Sequence, residues 1–137
     1  GAAATYEEAN AFIYGKYSSP NHLSSIGSCS MRDFCSTVKQ ANGVSVLAHP
    51  GYLYERYGPD GFIKCLADLK ACGIGGIECY YPSHSKAVTE LCVDFCKRND
   101  LRITGGCDCH GAFDKSEGFS IGELDISLEM LDLRGII

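Results

Sequence analysis

Residues 44–51 read Val-Ser-Val-Leu-Ala-His-Pro-Gly (VSVLAHPG), and this stretch decides the fold class. Val44–Ala48 is short, apolar and rich in β-branched residues, and it ends in the breaker His49-Pro50-Gly51, the pattern of a buried strand feeding a loop. Upstream, Ser30–Asn42 carries Phe34, Cys35, Val38 and Ala41 at helical spacing and stops at Asn42-Gly43. Downstream the layout recurs. Pro59–Cys72 places Phe62, Ile63, Leu66 and Leu69 on one helical face and closes at Gly73, and Gly76–Tyr81 is a second strand. Ser85–Arg98 is a helix with Val88, Leu91, Cys92 and Phe95 inward, and Leu101–Thr104 starts a third strand. Strands alternating with helices of this length predict an α/β fold of parallel βαβ units with right-handed crossovers. At the ends, Tyr6–Tyr17 reads as a helix capped by Thr5 with Glu8 three places on, Ser18–Ser28 as a polar loop, and Ile121–Ile137 as a short strand or loop followed by a brief helix at Ser127–Leu133.

The chain has 137 residues, one domain's worth over 1–137, with 45% hydrophobic and 21% charged residues, an ordinary globular balance. A net charge of −5 argues against an extended nucleic-acid surface. No apolar run reaches the roughly 18 residues of a membrane span, and no signal-peptide pattern opens the sequence. Nine cysteines is a high and odd number. Their positions among apolar helix residues predict reduced, mostly buried thiols and a cytoplasmic setting rather than a disulfide framework.

In parallel α/β folds, chemistry gathers beyond the C-terminal ends of the strands. His49 ends the first strand, Glu78 lies in the second with His84 in the loop after it, and Asp108 and His110 follow the third. Cys107-Asp108-Cys109-His110 packs four metal-binding side-chain types into consecutive positions. If the chain stays extended there, side chains alternate faces, so Asp108 and His110 point one way and the two cysteines the other. Asp108 and His110 would then join His49 as ligands for Zn²⁺, Mn²⁺ or Fe²⁺. A structural zinc on Cys107 and Cys109 is the competing reading, disfavoured because these two are spaced Cys-x-Cys rather than the Cys-x2–4-Cys usual for a structural site.

The segments Ala48-His49-Pro50-Gly51, Gly76-Ile77-Glu78-Cys79-Tyr80-Tyr81-Pro82-Ser83-His84-Ser85 and Thr104-Gly105-Gly106-Cys107-Asp108-Cys109-His110-Gly111 together resemble the later motifs of PHP (polymerase and histidinol phosphatase) domains. The likeness is greatest to the stand-alone metal-dependent phosphoesterases of that superfamily. The resemblance implies a distorted seven-stranded (βα) barrel, with a cluster of metal ions at the strand ends that hydrolyses phosphate esters. It implies His49, Asp108 and His110 as metal ligands, and it implies that Ser83 and His84 lie in a loop at the mouth, near substrate. Cys107 and Cys109 stand where the family usually has serine and an aromatic residue.

The family's opening His-x-His motif is not found, and His22, the one histidine before His49, has no such partner. The chain therefore resembles the C-terminal half of a PHP domain. Three ligands support at most one ion, so weak metal binding and little phosphoesterase activity are expected of the chain alone. Half a barrel would also leave two open sheet edges, which predicts association, for example a homodimer. Among other candidates, Arg56 and Lys64 are placed to meet a phosphate, and His84 is a possible phosphate donor or general acid. Glu78 is a carboxylate suited to orient a metal-bound histidine. Tyr52, Tyr54 and Tyr57 form a tyrosine-rich loop. The expected substrate is a phosphorylated small molecule or nucleotide; the alternative is a non-catalytic half-domain acting as an association module.

Overall fold

A computed structural model of the chain describes residues 29–110 and 119–136. The predicted helix Tyr6–Tyr17 and loop Ser18–Ser28 lie outside these residues. Three parallel strands, β1 (Val46–Leu47), β2 (Gly76–Tyr80) and β3 (Arg102–Gly105), form one sheet in the order β1-β2-β3. Helix α1 (Met31–Gln40) precedes β1, α2 (Gly51–Cys72) joins β1 to β2, and α3 (Lys86–Asn99) joins β2 to β3. The α/β class and the parallel βαβ units are as the sequence predicts.

The caps follow from residue type. Ser30 and Ser85 each stand at an N-cap, their hydroxyls accepting from the backbone N–H groups of Asp33 and Val88. Helix α2 ends at Gly73, whose φ of 103° lies in the left-handed region, with its N–H bonded back to Lys70 O. A Cβ there would also stand 3.3 Å from the Cβ of Cys35. Gly73→Ala is expected to cost about 1–2 kcal/mol from the left-handed conformation alone, read as a lowered urea midpoint with an unchanged slope.

The core lies between one face of the sheet and helices α2 and α3. Ile77 and Cys79 of β2 alternate onto it and meet Phe62 and Leu66 of α2 and the α3 stripe Val88, Cys92 and Cys96. Leu101 and Ile103 complete it. Glu78, between Ile77 and Cys79, belongs to the opposite face. The thiols of Cys79 and Cys96 are 3.7 Å apart, and hydrogen bonding with Cys92 and Cys96, then burial, pushes the Cys79 thiol well up. No disulfide joins any of the nine cysteines. Only Cys35, Cys79, Cys92 and Cys96 are buried, fewer than expected.

Five differences from the sequence expectations stand out. The helix predicted from Pro59 starts at Gly51, because Gly51–Tyr57 is also helical; Gly58 (φ 68°, ψ 178°) interrupts the path and Pro59 resumes it. Strand β1 is shorter than Val44–Ala48, and the tail holds only a 3-10 turn at Leu128–Met130. In α1 only Cys35 of the apolar stripe is buried, and Phe34 is half exposed. The outer edge of β3 is not open: Ile103 exchanges two backbone hydrogen bonds with Asp132 in an antiparallel bridge. Arg134 then fastens this tail, pairing with Asp132 and Asp100, and the guanidinium holds the Asp132 carboxyl below its usual range. Among the described residues β1 pairs only with β2, so one edge remains.

Candidate metal site at the strand ends

His49, Glu78 and Asp108 meet where the three strands end. Both His49 (φ 47°) and Asp108 (φ 49°) adopt the left-handed conformation. That is costly for a non-glycine residue and concentrates where a site holds the backbone in place. The turn at His49 is held by Glu78, whose Oε2 accepts the His49 backbone N–H at 2.9 Å. The same oxygen is 3.3 Å from His49 Nδ1, a buried atom without a well-aligned hydrogen bond of its own. Opposite, the register between β2 and β3 slips by one residue between Glu78 and Tyr80, a bulge at Cys79. Gly106 passes so close that a Cβ on it would stand 2.8 Å from Glu78 Oε1. This accounts for a glycine before the Cys-Asp-Cys-His run.

Asp108 is the centre of the group. Its Oδ2 is 3.5 Å from His49 Nε2, and its Oδ1 is 3.4 Å from His110 Nε2. These separations exceed ordinary N–H···O hydrogen bonds. They match the spacing of about 3.4 Å between two ligand atoms that each lie about 2.1 Å from one tetrahedral ion. The donors, two imidazoles and a carboxylate, suit Zn²⁺, Mn²⁺ or Fe²⁺. Each histidine addresses a different oxygen, however, and among the described residues no group of three His, Cys, Asp or Glu side chains is disposed to hold one ion. The residues present fit a divalent metal in kind and pair by pair, as an incomplete ligand set.

Asp108 and His110 do share a side, but the premise of that expectation needs correction. Strand β3 stops at Gly105, and Asp108 is left-handed rather than extended. The pairing comes from a turn, not from strand alternation.

A cavity of about 260 Å³ opens beside His49, lined also by Tyr52, Glu55, Tyr81, Ser83 and His84. Ser83 thus borders this cavity. Arg56 does not: its guanidinium lies over the ring of Tyr57, 5.4 Å from the centroid. Lys64 is exposed on the second half of α2. Sequence reasoning missed Glu55 and Tyr81. With 51–57 read as a loop, the three-residue spacing of Tyr52 and Glu55 carried no meaning. Tyr81 is nearly buried, with its ring 4.7 Å from that of His49 and 5.4 Å from that of His84.

His84 is not poised as a proton donor to substrate. Its Nε2 accepts the Gly51 N–H at 3.2 Å and so carries no proton; Nδ1 then holds the proton and donates to the Cys79 carbonyl at 3.1 Å. Both nitrogens are engaged, which corrects the general-acid expectation. Burial, the largest influence, lowers its pKa below the usual histidine value. A histidine depressed in the fold contributes stability that is complete above its unfolded pKa near 6.5 and is lost as pH falls toward the folded value. The urea midpoint should therefore drop between about pH 7 and pH 5, and His84→Gln should flatten that drop.

No family model matches the chain. Over 82 residues it is 42% identical to the phosphoribosyl 1,2-cyclic phosphate 1,2-diphosphodiesterase of Eggerthella lenta, a match covering 60% of this chain and 29% of that protein. A crystal structure from Bifidobacterium adolescentis, assigned as a metal-dependent phosphoesterase, aligns with a TM-score of 0.58 and 26% identity over 91% of this chain and 43% of the other. The chain thus spans less than half the length of either relative. Both bear out the resemblance read from the three motifs. Among the described residues no helix is long and apolar enough to cross a membrane.

Proposed function

We propose that this chain, PHP-like in its motifs and its relatives, carries one part of the active site of a metal-dependent phosphoesterase. The observation that carries the reading is the Asp108 carboxylate at the strand ends, with one oxygen 3.4 Å from His110 and the other 3.5 Å from His49. In this reading His49, Asp108 and His110 hold a Zn²⁺, Mn²⁺ or Fe²⁺ ion, and the remaining ligands come from a further part of the domain. The coverage of 29% and 43% of the two relatives supports that division. When bound, such an ion lowers the pKa of a coordinated water toward about 7 and polarises the phosphate ester.

The chain's own residues supply orientation. Glu78 fixes the His49 turn, Tyr81 packs on the imidazole, and the Ser83 hydroxyl lines the cavity where a phosphate oxygen would be received. The name of the Eggerthella relative favours a cyclic phosphodiester of a sugar as substrate. The finer architecture proposed is a distorted (βα)7 barrel, of which these three strands are consecutive units, in a cytoplasmic protein. That β1 pairs only with β2 among the described residues supports association, as a homodimer or with the rest of the barrel.

A second reading, a non-catalytic association module, is favoured by the absence of a closed three-ligand group among the described residues. Zinc titration with elemental analysis, and hydrolysis of p-nitrophenyl phosphate with and without Mn²⁺, separate the two. The phosphoesterase reading expects up to one weakly held ion per chain and little turnover. It also expects Glu78→Ala to weaken zinc by about 10–100-fold, the usual effect of removing a ligand's orienting partner. No zinc uptake by the wild type would leave the module reading.

A further inference from the structure

We infer that His84 is a positioning residue that caps helix α2 from another element and thereby sets the turn carrying His49. The N-terminus of α2 lacks the usual means of satisfying its first N–H groups. Pro50 stands at the N-cap with no side-chain hydrogen bond, and no acidic residue lies in the first turn. The Gly51 N–H, two residues from His49, is instead taken by His84 Nε2 at 3.2 Å, across 33 positions of sequence. The imidazole is anchored at its other nitrogen to the Cys79 carbonyl, at the bulge that ends β2. One neutral ring thus ties the strand that carries Glu78 to the turn that carries His49.

Two further observations converge on the same bond. A Cβ on Gly51 would stand 2.9 Å from His84 Cδ2 and 3.3 Å from Nε2, so the contact as built requires glycine there. Tyr81 fills the space between the two imidazoles, 4.7 Å from one ring and 5.4 Å from the other. A displaced His84 therefore disturbs His49 through Gly51 and through Tyr81 together.

The inference rests on the metal-site reading only for its zinc arm. Side-chain length separates the two hydrogen bonds: glutamine reaches as far as Nε2 and accepts from Gly51, whereas asparagine reaches only as far as Nδ1 and keeps the bond to Cys79. Wild type, H84Q, H84N and G51A are compared by amide exchange at position 51, by the imidazole ¹⁵N shifts of His49, and by titration with Zn²⁺ alone. H84N and G51A are expected to speed amide exchange at position 51 at least about 10-fold, to shift the His49 resonances and to weaken zinc about 10–100-fold, as loss of a ligand's support does. H84Q should stay near wild type on all three. Unchanged His49 shifts in both H84N and G51A overturn the inference, as does H84Q behaving like H84N. If wild type takes up no zinc, the metal reading fails, and the exchange and shift arms still decide the role of His84. Should H84N not fold, G51A tests the same bond from the other side.

Discussion

Asp108→Asn is expected to weaken zinc uptake by more than the roughly 100-fold upper range of losing an orienting partner, a larger effect than loss of either histidine. Asp108 is the one side chain within reach of both others, through Oδ2 to His49 and Oδ1 to His110. Removing its charge takes away the anionic member of the set and leaves the two imidazoles without a carboxylate. Asparagine is the informative replacement because Asn, like Asp, tolerates the left-handed backbone, which the 49° φ of Asp108 requires. Alanine would add backbone strain and blur the result. His110→Gln should cost less, since the imidazole of His110 is half exposed and meets only one oxygen. Competition titration with a chromophoric chelator measures both variants against wild type. Zinc binding by the Asp108→Asn chain within about threefold of wild type, less than 1 kcal/mol, would remove Asp108 from the ligand set.

The parts of the fold legible in the sequence are those where local and global signals agree. Helix α3 has a serine cap, an apolar stripe and a basic last turn, and it falls within one residue of its predicted start and end. Strand β2 is bounded by glycine and proline and is found nearly where expected. The first turns of α2 were hidden because Pro50-Gly51 and Gly58-Pro59 punctuate the segment like a loop. Its helical state depends on Leu53 and Tyr54 packing against the core, and on a cap from 33 residues away. The bridge at Asp132 was equally invisible, since a single antiparallel pairing leaves no periodicity.

At the site, residue types were legible and roles were not. His49, Asp108 and His110 were found by their place after strands, yet the turn that brings Asp108 and His110 together breaks the alternation used to pair them. The part played by His84 follows from which nitrogen the Gly51 N–H occupies, a fact of tertiary geometry. Sequence alone treats a loop histidine near a strand end as a proton donor, because its usual pKa suits that work. Arg56 was attractive for its charge, but it projects from a helical turn that was not foreseen and lies over Tyr57.

Phe62→Ala is expected to destabilise the chain by about 3–5 kcal/mol, a large fraction of the roughly 5–15 kcal/mol that holds a domain of this size together. Phe62 is fully buried where α2 crosses the sheet, in one cluster with Ile77, Cys79 and the α3 stripe. Its ring also meets that of Tyr54 edge-on, 5.6 Å between centroids at 83°, and Tyr54 lies on the far side of the Gly58 interruption. Phe62 is thus the hinge through which the core steadies the short first segment of α2, and with it the turn of His49. The loss should therefore appear twice, in the urea midpoint and as faster amide exchange at Gly51 and Tyr52. Phe62→Leu keeps much of the apolar volume but not the ring, so it should recover most of the stability and less of the exchange protection. If Phe62→Ala lowers stability while leaving exchange at Gly51 and Tyr52 in step with global unfolding, the core and the His49 turn are one cooperative unit. If exchange there rises beyond the global loss, the first segment of α2 opens on its own, and the Tyr54–Phe62 contact is what holds it closed.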